Sequence, residues 1–201
     1  MKNFRVSVVI ATIGNKSVLE TISSLNEGTL VPNEIILCLP PGVKFDQYPL
    51  PKNVRVLNSK KKGQVSQRLF AFKRVKNDLV LQLDDDLILE NECLYHLVNY
   101  SEKKELCSVG PQIFDINTKK YSSFLEPKSI NNVFFRKIIF YIINGSKGYI
   151  PGGIGLSGIN MGVPGDGKNY QGINWLPGCC VLHKKDSLVL DDYYPYEGKA
   201  Y

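Results

Sequence analysis

Three aspartates in a row, Asp84, Asp85 and Asp86, follow a five-residue run, 79–83, that is apolar except for Gln82. Adjacent carboxylates repel one another, so a shared site built from them calls for a cation. Hard oxygen donors suit Mn2+ or Mg2+, and two carboxylates leave coordination positions for water and for the oxygens of a diphosphate. In an extended segment Asp84 and Asp86 would project to one side and Asp85 to the other, which aims two carboxylates at a common point. The alternative is a solvated acidic turn that only ends a strand. The apolarity of the preceding run favours the metal site.

Other residues could do chemistry, each with a plainer alternative. Thr12 follows the apolar run 6–11 and ends the strand expected at 5–11, where its hydroxyl or backbone could meet a ligand or merely end a strand. Arg68 could grip a phosphate or a base in a fork geometry, or be an exposed helical arginine. Gly63 permits close approach of the backbone to a ligand, or simply a turn. Lys60, Lys61 and Lys62 add positive potential just upstream, or form a solvated loop. Gly153, Gly155 and Gly158 satisfy G-x-G-x-x-G, but no strand pattern precedes them and no helix pattern follows, so they read as flexible loop. His96 and His183 have no serine or cysteine partner suggested by spacing and read as structural. Trp175 could stack on a sugar ring or be buried.

These residues need a scaffold, and the first half of the chain supplies one by alternating short apolar runs with helical patterns, as a parallel sheet covered by helices requires. Strands are expected at 5–11, 34–39, 54–57, 79–83 and 106–113. The uninterrupted apolarity of 79–83 places it in the middle of the sheet, with both faces covered. Helices are expected from Ser17 to about Gly28, opened by a capping box of Ser17 and Glu20, then after Gly63 with Val65, Leu69 and Phe72 on one face, and over 92–103. Beyond about Asn117 the pattern changes. Residues 133–143 are strongly apolar, and 145–172 carry ten glycines with little periodicity, which reads as an insertion with a mobile loop. Strand-like composition returns at 175–184. One domain, 1–201, is expected, with a ligand-binding half at 4–116 and a second half at 117–201.

Composition sets the class. The chain has 201 residues, 43% hydrophobic and 22% charged, enough to bury a full core. A net charge of +6 suits an anionic small molecule, a phospholipid surface or nucleic acid. Basic patches interleaved with aromatics and recognisable nucleic-acid modules are missing, so nucleic acid is not an expected partner. Five cysteines without a C-x-x-C pair argue against a disulfide framework and structural zinc, and favour a reducing, cytoplasmic setting. The run 133–143, with Arg136 and Lys137, is too short to span a bilayer and long enough to lie in its interface, or to be a core helix. Peripheral contact with the inner face of a membrane is therefore open.

The order Val6-Ser-Val-Val-Ile-Ala-Thr12, Pro32-Asn-Glu-Ile-Ile36, Gly63 to Arg68 and Leu83-Asp-Asp-Asp86 resembles the inverting family 2 glycosyltransferases of the GT-A fold. The likeness runs in register from about Phe4 to Leu89 and resumes at Gly178. It implies an α/β chain of the GT-A nucleotide-diphospho-sugar transferase type, with a mostly parallel central sheet flanked by helices. The aspartate triplet corresponds to that family's D-x-D signature. By this resemblance Asp86, with Asp84, would hold Mn2+ or Mg2+. Thr12, Gly63, Arg68, Asp84 and Asp85 would bind the nucleotide-diphosphate sugar. The implied reaction is hexosyl transfer to a saccharide or lipid-linked acceptor in surface polysaccharide biosynthesis.

The chain departs from the family pattern at two places. Leu39-Pro40-Pro41 stands where an aspartate usually reads the base, and no Glu-Asp pair follows 177–184 to serve as catalytic base. Asp191, Asp192 and Glu197 are the substitutes at hand, or the base lies beyond Tyr201 and the chain is incomplete at its carboxyl end. Two other readings follow: a nucleotide-sugar and metal binder without turnover, or a nucleotidyltransferase with a poor glycine-rich first loop at 12–16.

Overall fold

The four parallel strands form where β-branched and leucine-rich runs predict them. The computed structural model describes residues 4–46, 49–105, 108–121, 133–163, 167–170 and 172–191. In chain order the principal elements are β1 (Val6–Ala11), α1 (Ser17–Glu27), β2 (Glu34–Leu39), β3 (Val54–Asn58), α2 (Gln64–Phe72), β4 (Leu79–Leu83), α3 (Cys93–Lys104), β5 (Ser108–Val109), β6 (Phe114–Asp115), β7 (Lys120–Tyr121), α4 (Val133–Asn144) and β8 (Cys180–Lys184). They fall into two compact units, one built from 1–111 and 178–201, the other from 112–177.

The first unit holds a six-stranded sheet in the order β3-β2-β1-β4-β8-β5. β1 pairs in parallel with both β2 and β4, and β2 with β3, whereas β8 runs antiparallel between β4 and β5. Every residue of β1, β2 and β4 is buried, so both sheet faces are covered, as the apolar run at 79–83 requires. On one face Val9, Ile36, Cys38 and Val80 pack with Ala71, Phe72 and Val75, and Leu188 and Leu190 close over them. The four buried apolar side chains of β4 contribute roughly 1.5–3 kcal/mol each, which makes the strand ahead of the aspartates a rigid platform.

Several local expectations change. α1 starts at Ser17 with Lys16 at the cap and no side-chain cap bond, so the capping box does not form. Its first amides are taken by backbone carbonyls instead, Val18 by Asn15 and Leu19 by Lys16. The buried face of α2 is Gln67, Arg68, Ala71 and Phe72, with Val65 and Leu69 only half-buried. The strand expected at 106–113 is reduced to Ser108–Val109, with residues 106 and 107 outside the described set. The one expected at 175–184 is confined to Cys180–Lys184. Of the cysteines, Cys38, Cys93, Cys179 and Cys180 are free thiols, and burial pushes Cys38 and Cys93 up to about 11.

The second unit joins the β6–β7 hairpin, α4 and the glycine-rich segment. That segment is tied by backbone hydrogen bonds, Gly155 to Ile159 at 2.8 Å and Met161 to Gly153 at 2.8 Å, and it buries Met161. Trp175 is half-buried and its indole N–H donates to the Met161 carbonyl at 3.0 Å. No helix among the described residues is long and apolar enough to cross a membrane.

His183 on β8 yields a test of the core. Its ring Nδ1 lies 2.8 Å from the Ser108 hydroxyl, and burial holds its pKa below the ordinary 6.5. The unfolded chain therefore binds a proton more readily than the folded one, and stability present above pH 6.5 is lost as pH falls toward the folded value. His183→Gln is expected to flatten the fall in Tm between pH 7.5 and 5.5. Thermal melts at the two values check it, and equal slopes for both chains would remove His183 as a contributor.

Candidate functional site

Strand order places the site. β1 has β2 on one side and β4 on the other, so the chain's winding reverses between β1 and β4, and ligands of such sheets bind at the carboxyl ends beside that reversal. Thr12 follows β1 there, and Asp84 to Asp86 follow β4. In the β1–β4 register Ile10 stands opposite Leu83, so Thr12 and Asp85, each two residues further on, emerge side by side. The Thr12 hydroxyl donates to Asp85 Oδ2 at 2.5 Å and accepts the Gly14 N–H at 3.0 Å. The chain turns at Asp85 and Asp86 instead of continuing extended, so simple alternation does not govern the three carboxylates.

Each aspartate has a different environment. Asp84 is half-buried; its N–H donates to the Cys179 carbonyl at 2.8 Å, where antiparallel β8 approaches. Its Oδ1 accepts from Arg68 in an ion pair and from the Gln64 side-chain amide at 3.1 Å. Burial pushes the Asp84 carboxyl up, the Arg68 guanidinium pulls it down, and Asp86 and Asp85 push it up again, leaving it above the ordinary value. Asp85 is half-buried and held by Thr12. Asp86 is exposed and makes no hydrogen bond or ion pair among the described residues.

α2 supplies the positive side. Gly63 precedes the helix at φ 114°, a left-handed backbone that a side chain would strain. The first turn of α2 holds Gln64, so the unpaired amides of the helix start lie on the same side as Asp84. One turn on, Gln67 donates to the carbonyls of Thr12 at 2.9 Å and Cys38 at 2.5 Å, tying the helix to the ends of β1 and β2. Arg68 is 9% exposed, and its Nε is buried without a hydrogen-bond partner among the described residues. Gly178 lies against this pair: a Cβ there would sit 3.2 Å from Gln82 Nε2 and 3.7 Å from Arg68 Nη1.

The structure thus brings Thr12, Arg68, Asp84 and Asp85 together as two bonded pairs, Thr12 with Asp85 and Arg68 with Asp84, with Asp86 on the same turn. Gln64, Gln67 and the Cys179 carbonyl were not singled out from sequence. A polar stripe at 64, 67 and 68 on a helix facing a sheet is the signal that points to the two glutamines. Lys60, Lys61 and Lys62 are exposed. β8 carries the chain to the opposite end of β4, since Lys184 pairs with Leu79, and Asp191 is exposed beyond it. Asp192 and Glu197 lie outside the described residues. His96 is exposed on α3, 3.4 Å from Glu92. An open hollow of about 420 Å³ lies at the other end of the sheet, lined by Arg5, Glu34, Lys52 and Arg55. Its Glu34 is already engaged by Ser7 and Arg55, so the chemistry stays with the aspartate turn.

Among the described residues no group of three or more His, Cys, Asp or Glu side chains is placed to hold a metal ion. The protein donors alone do not make a closed cage. They do leave an unpaired carboxylate on Asp86 and three carboxylates on the turn against the one guanidinium of Arg68, which suits a cation whose shell is completed by ligand oxygens.

A sequence model described as glycosyl transferase family 2 matches residues 43–157, more than half of the chain. The chain belongs to glycosyl transferase family 2. The matched residues include Gly63, Arg68 and the aspartate triplet and leave Thr12 and Gly178 outside. Its mostly parallel sheet flanked by helices is the GT-A fold of that family. The crystal structure of residues 1–349 of S. aureus TarS aligns with 57% of this family 2 chain, at 18% identity and a TM-score of 0.46. A second TarS crystal structure gives the same figures, and TarS 1–349 in complex with UDP gives 17% identity at TM-score 0.46. The alignments cover 37%, 22% and 37% of those TarS chains, so this chain spans well under half their length. No curated protein matches the sequence.

Proposed function

We propose that this family 2 chain binds a nucleotide-diphosphate sugar at the carboxyl ends of β1 and β4 and transfers the sugar, with inversion, to a saccharide or lipid-linked acceptor in surface polysaccharide assembly. The observation that carries the reading is the juxtaposition, at the sheet's reversal point, of a triple-aspartate turn and the buried Arg68 with its unpartnered Nε. Arg68 and the start of α2 orient the diphosphate by charge-assisted hydrogen bonds. Thr12 fixes Asp85, and Gln67 locks α2 against the strand ends, so the donors are set before ligand arrives. Mn2+ or Mg2+ held by Asp86, with Asp84 or ligand oxygens completing the shell, would supply positive charge for the departing diphosphate. Inverting transfer also needs a base on the acceptor hydroxyl. Of the acids expected to substitute, Asp191 lies among the described residues, and β8 runs away from the aspartate turn before the chain reaches it.

Calorimetry of the full chain with UDP and with GDP, in Mn2+ and then in excess chelator, tests the site. Binding of one nucleotide that vanishes on chelation is expected; no heat with either nucleotide in Mn2+ would overturn the reading. Release of free sugar from the matching donor then separates a transferase from a binder that lacks turnover.

A further inference from the structure

The second unit turns an apolar helical face outward. On α4, Phe135, Ile138, Tyr141 and Ile142 are exposed, the last by 74%, and Phe134 lies beside them. At 100° per residue these positions span an arc of about 120°. The opposite side is packed: Phe140 is buried in edge contact with Tyr149, ring centroids 4.8 Å apart, and Asn144 is buried and donates to the Gly148 carbonyl at 2.8 Å. Gly155 lies so close under Ile143 that a Cβ there would meet its Cγ2 at 2.6 Å. The helix is therefore pinned by one face, and the outward face is not the one that closes its unit. Ile154, Leu156 and Ile159 of the same unit are exposed as well.

Charge decides what would cover this surface. Residues 127–165 contain no Asp or Glu and four basic residues, Lys128, Arg136, Lys137 and Lys147. Lys137 is exposed at the edge of the apolar arc, and Lys147 is exposed just beyond the helix. A second copy would set these like charges against each other with no acid in the segment to pair them. At twelve residues α4 is about 18 Å long, well short of a hydrocarbon core of about 30 Å. Aromatic and isoleucine side chains on one face, with Lys137 at its edge and Lys147 just past the helix, are what an interfacial helix presents to negatively charged lipid.

We propose that this face of α4 docks on the headgroup layer of an anionic phospholipid bilayer, independently of the nucleotide site. The full chain is expected to float with vesicles of phosphatidylglycerol and phosphatidylcholine, to bind pure phosphatidylcholine more weakly, and to be released by high salt. Phe135→Glu combined with Ile142→Glu should lower the partition coefficient at least about tenfold. Both side chains are exposed, so circular dichroism should be unchanged. Lys137→Glu is a second variant that leaves the apolar face intact and should give a smaller loss. Absence of the wild-type chain from anionic vesicles overturns the proposal, as does equal partitioning of the double variant. A dimer that the double variant dissociates, without vesicle binding by the wild type, would assign the face to a second copy and also overturn it.

Discussion

Asp86→Asn is expected to weaken Mn2+-dependent binding of the nucleotide diphosphate, and turnover with the matching donor, by on the order of 100-fold or more. Asp86 makes no hydrogen bond or ion pair among the described residues and is exposed, so the substitution removes a charge without breaking an internal bond. Stability should accordingly stay within about 0.5 kcal/mol of wild type. That separation distinguishes Asp86 from Asp85, whose replacement also loses the Thr12 bond. Calorimetry and donor hydrolysis alongside a urea melt read both quantities. Unchanged nucleotide affinity in Mn2+ would remove Asp86 from the metal role.

Arg68→Met should strike both the fold and the site. The guanidinium is the cation facing Asp84, whose side chain is 28% exposed and has two further aspartates as neighbours. Removing it leaves a half-buried carboxylate uncompensated, at a cost of about 2 kcal/mol; a fully buried pair would cost about 3–5 kcal/mol. The pH dependence has a definite sign. Asp84 already has its folded pKa above the ordinary value, so the folded chain takes up a proton more readily than the unfolded one. Loss of Arg68 raises it further, and the deficit of the variant should shrink as pH falls through that value. Adding Asp84→Asn to Arg68→Met should recover much of the stability at pH 7. Urea unfolding of the two single variants and the double variant measures the coupling. Additive losses would show that the two side chains do not depend on each other.

Much of this arrangement was legible because its parts obey local rules. β2 matches its sequence pattern residue for residue, and β1 starts one residue later than predicted, since Val, Ile and Leu at consecutive positions leave a buried parallel strand as the fitting element. The run 79–83 announced a central strand for the same reason. The face of α2 was legible only at Phe72, which is buried in the core as its periodicity required. Apolar periodicity pointed to Val65 and Leu69, yet the side turned inward carries Gln67 and Arg68. The Thr12 carbonyl at the end of β1 takes its donor from Gln67, which also adds a second donor to the Cys38 carbonyl already bonded by the Thr12 N–H, and a leucine could do neither. The bond between Thr12 and Asp85 was hidden for a different reason. Each residue could be placed at the end of its strand, but their adjacency depends on strand order, which no local pattern encodes. The turn at Asp85 and Asp86 belongs to the same class.

The position of β8 has a consequence during synthesis. As the chain leaves the ribosome from its amino end, β4 emerges with β1 available on one side and nothing for the other. Its second partner, Cys180–Lys184, is made roughly a hundred residues later. Until then the nascent domain carries the open rim of a hydrophobic strand, its ladder amides and carbonyls ready to template a neighbouring polypeptide. Pausing in that interval therefore leaves the strand behind the aspartates as the sticky edge, and chaperone occupancy should be greatest there.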